Sequence, residues 1–274
     1  MLYLVATPIG NLSDITFRAI ETLNLCDYIL CEDTRHSLIL LRHYQIQKPL
    51  KSYHKFNEAS QADQILEDLR NGKNIALISD AGVPGISDPG ADLVKICVEQ
   101  AIAVTAIPGP CAAIQALCCS GLPTDRFQFI GFLERKESEL KRELQNILAY
   151  HGTTICYESP HRLLSTLTVV QEIDPIRLLV VARELTKKFE EIVRGTAGEL
   201  LAYWDKNPLK GEIVLLFSQR PERVNTEWEQ LSPEEHVDFL QKTYSLSRQE
   251  AIKIAAELRG VPKRTIYNQV QIKE

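Results

Sequence analysis

The chain has 274 residues, 45% of them hydrophobic and 24% charged, with a formal net charge of −5. Its length points to about two domains of roughly 100–200 residues each, and its apolar content excludes a disordered or fibrous chain. No apolar run reaches the roughly 18 residues that span a bilayer and Met1 to Pro8 carries no positively charged start, so a soluble cytoplasmic protein without a membrane partner is expected.

Short β-rich runs at Leu2 to Ala6, Tyr28 to Cys31, Asn74 to Ser79 and Ala103 to Ile107 alternate with amphipathic stretches. That order predicts βαβ units on a mainly parallel sheet. Ser120 to Asp125 breaks the pattern, and strand-like runs follow at Gln128 to Phe132, Thr153 to Tyr157, Arg177 to Ala182 and Glu212 to Phe217. Two α/β domains, 1–119 and 120–221, are expected. A polar segment, Ser218 to Leu231, then leads into an all-helical module of helix-turn-helix type at 222–274. There, Ser232-Pro233-Glu234-Glu235 and Ser247-Arg248-Gln249-Glu250 are capping boxes, Gly260 suits a helix C-terminus and Pro262 opens a third helix. Ala251, Ile254, Ala255 and Leu258 share one helical face.

Seven cysteines, at 26, 31, 97, 111, 118, 119 and 156, are scattered without Cys-x-x-Cys spacing. Reduced thiols and no metal site are expected. The negative net charge provides no overall attraction for nucleic acid, so an RNA would have to be held by a local basic surface.

The most informative stretch is Ser79 to Gly90, with three glycines, two prolines and two aspartates between a strand and a helix that Asp88 can cap with Pro89 at its first position. Such loops lie at the carboxyl edge of the sheet, where ligands of open α/β folds bind. The glycines match neither G-x-G-x-x-G nor G-x-x-x-x-G-K-[ST], which disfavours NAD and ATP. Thr7 to Leu12 and Ile107 to Ala113 are further special turns after strands, and three of them argue for one shared pocket.

Together, Thr7-Pro8-Ile9-Gly10-Asn11-Leu12, Glu32-Asp33-Thr34-Arg35, the Ser79 to Gly90 loop, Pro108-Gly109-Pro110 and Glu158-Ser159-Pro160-His161-Arg162 resemble the motif set of the tetrapyrrole methylase family. They resemble most the branch that methylates the 2'-oxygen of a cytidine in the decoding region of 16S rRNA. The likeness runs from residue 2 to about residue 217, with a similar helical tail. It implies S-adenosylmethionine (SAM) as methyl donor in a cleft between two α/β domains, a homodimer, no metal, and 16S rRNA within the small ribosomal subunit as partner. By motif position it places SAM contacts on Pro8, Asp80, Val83, Ile86, Ser87, Cys111, Ala112, Tyr157, Ala182 and Glu212.

A neutral ribose hydroxyl is a poor nucleophile, so a positioned base should help to remove its proton. Residue chemistry offers Glu32, Asp33, Glu158 and His161, with Arg35 and Arg162 to grip phosphates. Glu32 to Arg35 would equally serve as a helix N-terminal cap with a solvated charge pair. His54-Lys55-Phe56-Asn57 suits a nucleotide phosphate and base through Lys55, or is an ordinary loop with one buried aromatic. The mixed-sign run Glu134 to Glu143 fits a solvated helix face. From Lys242 onward seven Lys/Arg face three acidic residues, and Lys263, Arg264 and Tyr267 would centre a nucleic-acid contact. The competing expectations are methylation of a corrin-type macrocycle or of a modified protein histidine, and a metabolite-sensing regulator whose tail binds DNA.

Overall fold

A computed structural model describes residues 1–207, 209–219, 231–244 and 246–271. The expected boundary near residue 221 and most of the polar segment before the tail lie outside them. Contacts divide the chain into two compact units, Met1–Arg220 and Pro221–Glu274.

In the first unit, β1 (Leu2–Val5), β2 (Tyr28–Cys31), β3 (Leu50–Ser52), β4 (Ile75–Leu77) and β5 (Val104–Ile107) form a sheet of order β3-β2-β4-β1-β5. Every pairing in it is parallel. Alternate residues serve opposite cores. Val5, Ile29, Cys31 and Ala76 pack with α1 (Phe17–Leu25) and α2 (Thr34–His43), whereas Leu2, Leu30, Ile75 and Leu77 pack with α3 (Glu58–Arg70) and α4 (Ala91–Glu99). A parallel sheet covered on both faces requires such continuously apolar strands. β1 lies between β4 and β5, so the loops after these three strands emerge side by side at one edge.

The second sheet has the order β6-β7-β10-β8-β9, from β6 (Phe127–Phe132), β7 (Thr153–Glu158), β8 (Leu179–Arg183), β9 (Glu191–Gly195) and β10 (Ile213–Phe217). Only β6 and β7 run parallel; the other three pairings are antiparallel. One face packs against α6 (Glu137–Ala149), α7 (Pro160–Ile173) and α8 (Ala197–Lys206). The other receives α5 (Ala112–Ser120), which follows β5 of the first sheet: Ala113, Ala116 and Leu117 pack with Ile155, Val180, Ala182 and Val214, and Ile9 from the β1 loop joins them. β3 and β9 are absent from the sequence-based expectation. Both are edge strands, and Leu50-Lys51-Ser52 and Glu191-Ile192-Val193-Arg194-Gly195 lack the apolar run of a central strand.

In the second unit α9 (Pro233–Tyr244), α10 (Arg248–Leu258) and α11 (Lys263–Gln271) share a core of Val237, Leu240, Ala251, Ile252, Ala255, Ala256, Ile266 and Val270. Both expected capping boxes form, and Gly260 takes a left-handed φ of 63° just past α10. The buried face of α10 differs from the expected one: Ile252 and Ala256 are buried while Leu258 is exposed, because both α9 and α11 contact this helix.

Candidate functional site

The loops after β1 and β4 are fastened to each other before either meets a ligand. Thr7 and Gly82 exchange backbone hydrogen bonds of 2.9 and 3.0 Å, and the Thr7 hydroxyl donates to the Ser79 carbonyl at 3.1 Å. Gly82, at φ 80°, takes a conformation that favours glycine. The Asp33 N–H donates to Oδ1 of Asp80 at 3.3 Å, adding the loop after β2 to the assembly.

Two adjoining cavities of about 340 and 310 Å³ open there, sharing Ile9, Ala81 and Glu212. All ten expected cofactor contacts line them. Val83, Ile86, Ser87, Cys111, Ala112, Tyr157, Ala182 and Glu212 lie around the first, and Pro8, Asp80 and again Glu212 around the second. The floor of the first cavity follows from strand register: Tyr157 of β7 stands opposite Val214 of β10, which stands opposite Ala182 of β8, and all three line it. Burial pushes the Tyr157 hydroxyl up to about 12, so it stays a neutral donor.

The chemistry of this lining fits SAM. Its walls combine apolar side chains such as Ile9, Val83, Leu185 and Val214 with the carboxylates of Asp80, Asp88 and Glu212. A sulfonium and an ammonium need that combination of apolar surface and negative charge, and no phosphate cradle.

The candidate bases separate. Asp33 caps α2: its Oδ1 accepts the Arg35 N–H at 2.8 Å, and its Oδ2 pairs with the exposed Arg35 guanidinium at 2.8 Å. Those bonds hold its carboxyl down at about 2, so the capping alternative describes this pair. Glu158 lines the first cavity, yet its carboxylate accepts from the Ser159 N–H at 2.7 Å and the Thr166 hydroxyl at 2.8 Å, with Arg162 at 3.6 Å. His161 is exposed on the first turn of α7 and lines neither cavity. Glu32 is half-buried beside the Ser79 to Gly90 loop, and burial, then Asp80, raises its carboxyl above the ordinary range.

Asp88 corrects the sequence-based expectation. It does not cap α4: the helix begins at Ala91 with Gly90 as its N-cap, at φ 120°, and the Gly90 N–H donates to Oε1 of Glu58 at 2.8 Å. Asp88 lines the first cavity instead and makes no hydrogen bond or ion pair with any described residue. Burial raises its carboxyl to about 6, and the carboxylates of Glu32 and Asp80 act in the same direction. Ser87 beside it holds a left-handed φ of 62°, a strained conformation for a residue with a Cβ.

Of the expected RNA contacts, Arg35, Lys55, Lys263 and Arg264 are exposed. Phe56, the aromatic beside Lys55, is 94% exposed, so the alternative of one buried ring there does not hold. Arg162 has an inward task in place of a phosphate grip: its guanidinium donates to the carbonyls of Leu133 and Glu134 and pairs with Glu158. Lys187, not singled out from the sequence, lines the second cavity and pairs with Glu184 at 2.9 Å and Glu212 at 3.0 Å. Phe132 was also missed; the glycine before it, inside a strand pattern, is the signal that marks it.

No helix among the described residues is long and apolar enough to cross a membrane, and no described cluster of His, Cys, Asp and Glu could hold a metal.

Residues 1–201 match the model of the tetrapyrrole (corrin/porphyrin) methylases. A protein of Halalkalibacterium halodurans called ribosomal RNA small subunit methyltransferase I is 47% identical over 97% of this chain and 93% of its own. Its namesake in Bacillus subtilis is 46% identical over 100% and 95%. Among solved structures, the uroporphyrin-III C-methyl transferase of Thermus thermophilus complexed with S-adenosylhomocysteine is 18% identical, covers 79% of this chain and 96% of its own, and superposes with a TM-score of 0.54, a likeness of fold. The chain thus belongs to the tetrapyrrole methylase family, and within it to the methyltransferases called ribosomal RNA small subunit methyltransferase I.

Proposed function

We propose that this protein methylates the ribose 2'-oxygen of a cytidine in the decoding region of 16S rRNA, within the small ribosomal subunit, as a cytoplasmic homodimer. The observation that carries it is the pair of adjoining cavities lined by every residue expected to hold SAM, in a chain 46–47% identical to proteins named for small-subunit ribosomal RNA. The corrin and modified-histidine alternatives share only the fold at this level of similarity; structural neighbours such as the diphthine synthases are 11–21% identical.

When bound, SAM supplies an electrophilic methyl group on a positively charged sulfur. The chain does the rest. The cavity walls hold the donor against the acceptor oxygen, and such positioning is worth up to roughly 7–11 kcal/mol of barrier. Asp88 accepts the proton of the ribose hydroxyl, because its carboxylate lines the cavity without a partner among the described residues and burial raises it to about 6, so that it is ionised at neutral pH yet more basic than an ordinary carboxylate. Glu32 and Asp80 keep it basic through their negative charge. Lys55, Lys263 and Arg264 supply positive charge for the RNA backbone.

The test is to incubate the purified protein with radiolabelled SAM and small ribosomal subunits lacking the modification, then map the label by nuclease digestion and mass spectrometry. Label on one cytidine ribose is expected. SAM binding without transfer to RNA would overturn the substrate while leaving the cofactor in place.

A further inference from the structure

Strand β6 carries an irregularity that decides where one aromatic ring points. Its residues pair with β7 in steady register from Phe127 opposite Thr153 to Phe129 opposite Ile155, and the next pair is Phe132 opposite Tyr157. Three steps along β6 therefore match two along β7, so one residue is inserted. Gly131 stands in this stretch at φ 74°, a conformation that favours glycine.

The consequence follows from the period of a strand. Without the insertion Phe132 would share a face with Ile130, which packs against the core beneath α6 and α7. The extra residue returns Phe132 to the face of Phe129. Both rings then meet Tyr157 edge-on, with centroids 4.9 and 5.5 Å away. Bulges re-aim side chains beside active sites in this manner. The strand also approaches the Ser79 to Gly90 loop, since a Cβ on Gly131 would lie 3.3 Å from the Ser87 hydroxyl.

Phe132 is left 59% exposed at the cavity that Asp88 also lines. A phenylalanine turned out of a core costs the transfer energy of an aromatic ring, and the interrupted ladder adds to that. We propose that Phe132 is the platform on which the planar base of the acceptor nucleotide stacks, bringing its sugar into the cavity that holds Asp88. Stacking recognises the π-face of a base and suits a nucleotide splayed out of its helix. This assignment rests on the ribose-methylation reading above.

The experiment compares wild type, Phe132→Ala and Phe132→Tyr on small ribosomal subunits lacking the modification, alongside titration calorimetry with S-adenosylhomocysteine and sedimentation of each protein. Phe132→Ala is expected to raise KM for subunits about tenfold, equivalent to ~1.4 kcal/mol, with S-adenosylhomocysteine affinity and oligomeric state unchanged. Phe132→Tyr, which keeps the ring, should restore KM. Where the alanine variant does not fold, Phe132→Leu keeps apolar bulk without the ring, and the same rise in KM is expected. An unchanged KM overturns the assignment. So does a loss of S-adenosylhomocysteine affinity, which would give the ring to the cofactor, or a change of oligomeric state, which would give it to a second copy of the chain. Absence of transfer by the wild type would instead overturn the substrate reading, and the base platform with it.

Discussion

Oε1 of Glu58, on the first turn of α3, accepts the backbone N–H of Gly90 at the start of α4. A side chain from a neighbouring helix thus does the capping that the order Asp88-Pro89 would otherwise assign to Asp88, and Asp88 is released to the cavity. Glu58→Ala should cost about 1 kcal/mol, the usual worth of a cap, read as a lower midpoint in urea unfolding with an unchanged slope.

Asp88 predicts two opposite pH effects. Methyl transfer needs its ionised form, so kcat should rise as pH passes through about 6 and then level off. Asp88→Asn should lower the plateau by roughly 10²–10⁴-fold and abolish the rise. Stability runs the other way: the folded carboxyl titrates above its unfolded value, the folded state binds more protons between about pH 4 and 6, and stability is lost as pH rises across that window. Asp88→Asn should therefore be more stable than wild type at pH 8 by about 1 kcal/mol, allowing for solvent screening of a half-buried group, and no more stable at pH 4. Thermal unfolding at the two pH values checks the sign.

Asp80 accepts the Asp33 N–H and lines the second cavity. Asp80→Ala is expected to weaken SAM binding by roughly 2–10-fold, the net worth of one hydrogen bond, while circular dichroism stays native. Unchanged affinity in titration calorimetry would remove Asp80 from the cofactor site.

Arg162→Ala should act on stability. It strips the buried Glu158 of its charge partner and frees two carbonyls at the end of β6, at a cost of about 3–5 kcal/mol. A native unfolding midpoint with weakened RNA capture would restore the phosphate-gripping role.

Lys263 and Arg264 are exposed at the start of α11. Reversing both charges, Lys263→Glu with Arg264→Glu, should raise KM for subunits several-fold, more steeply at low salt, with SAM affinity unchanged. Equal KM at both salt concentrations would take the tail out of RNA capture.

Much of this molecule was legible in the chain itself. The parallel sheet was announced by apolar runs alternating with amphipathic stretches, and the lining of the two cavities by special loops such as Thr7 to Leu12 and Ser79 to Gly90, because turn chemistry is local. The strands β3 and β9 were not legible: an edge strand packs on fewer sides and needs fewer apolar residues. The roles of the carboxylates were not legible: Asp33 and Glu158, offered as bases, and Asp88, read as a helix cap, are each a carboxylate beside a helix start. They differ in partners. Asp33 meets Arg35, Glu158 meets Thr166 and Arg162, and Asp88 meets none among the described residues.

By itself, then, the sequence determined the central strands, the helical tail, the loops and the family motifs, since periodicity, glycine and proline act over a few residues. Only the tertiary structure decided which carboxylate is free and which aromatic faces the cavity. Those outcomes depend on contacts between distant segments: Glu58 reaching Gly90, and one inserted residue in β6 turning Phe132 toward Tyr157.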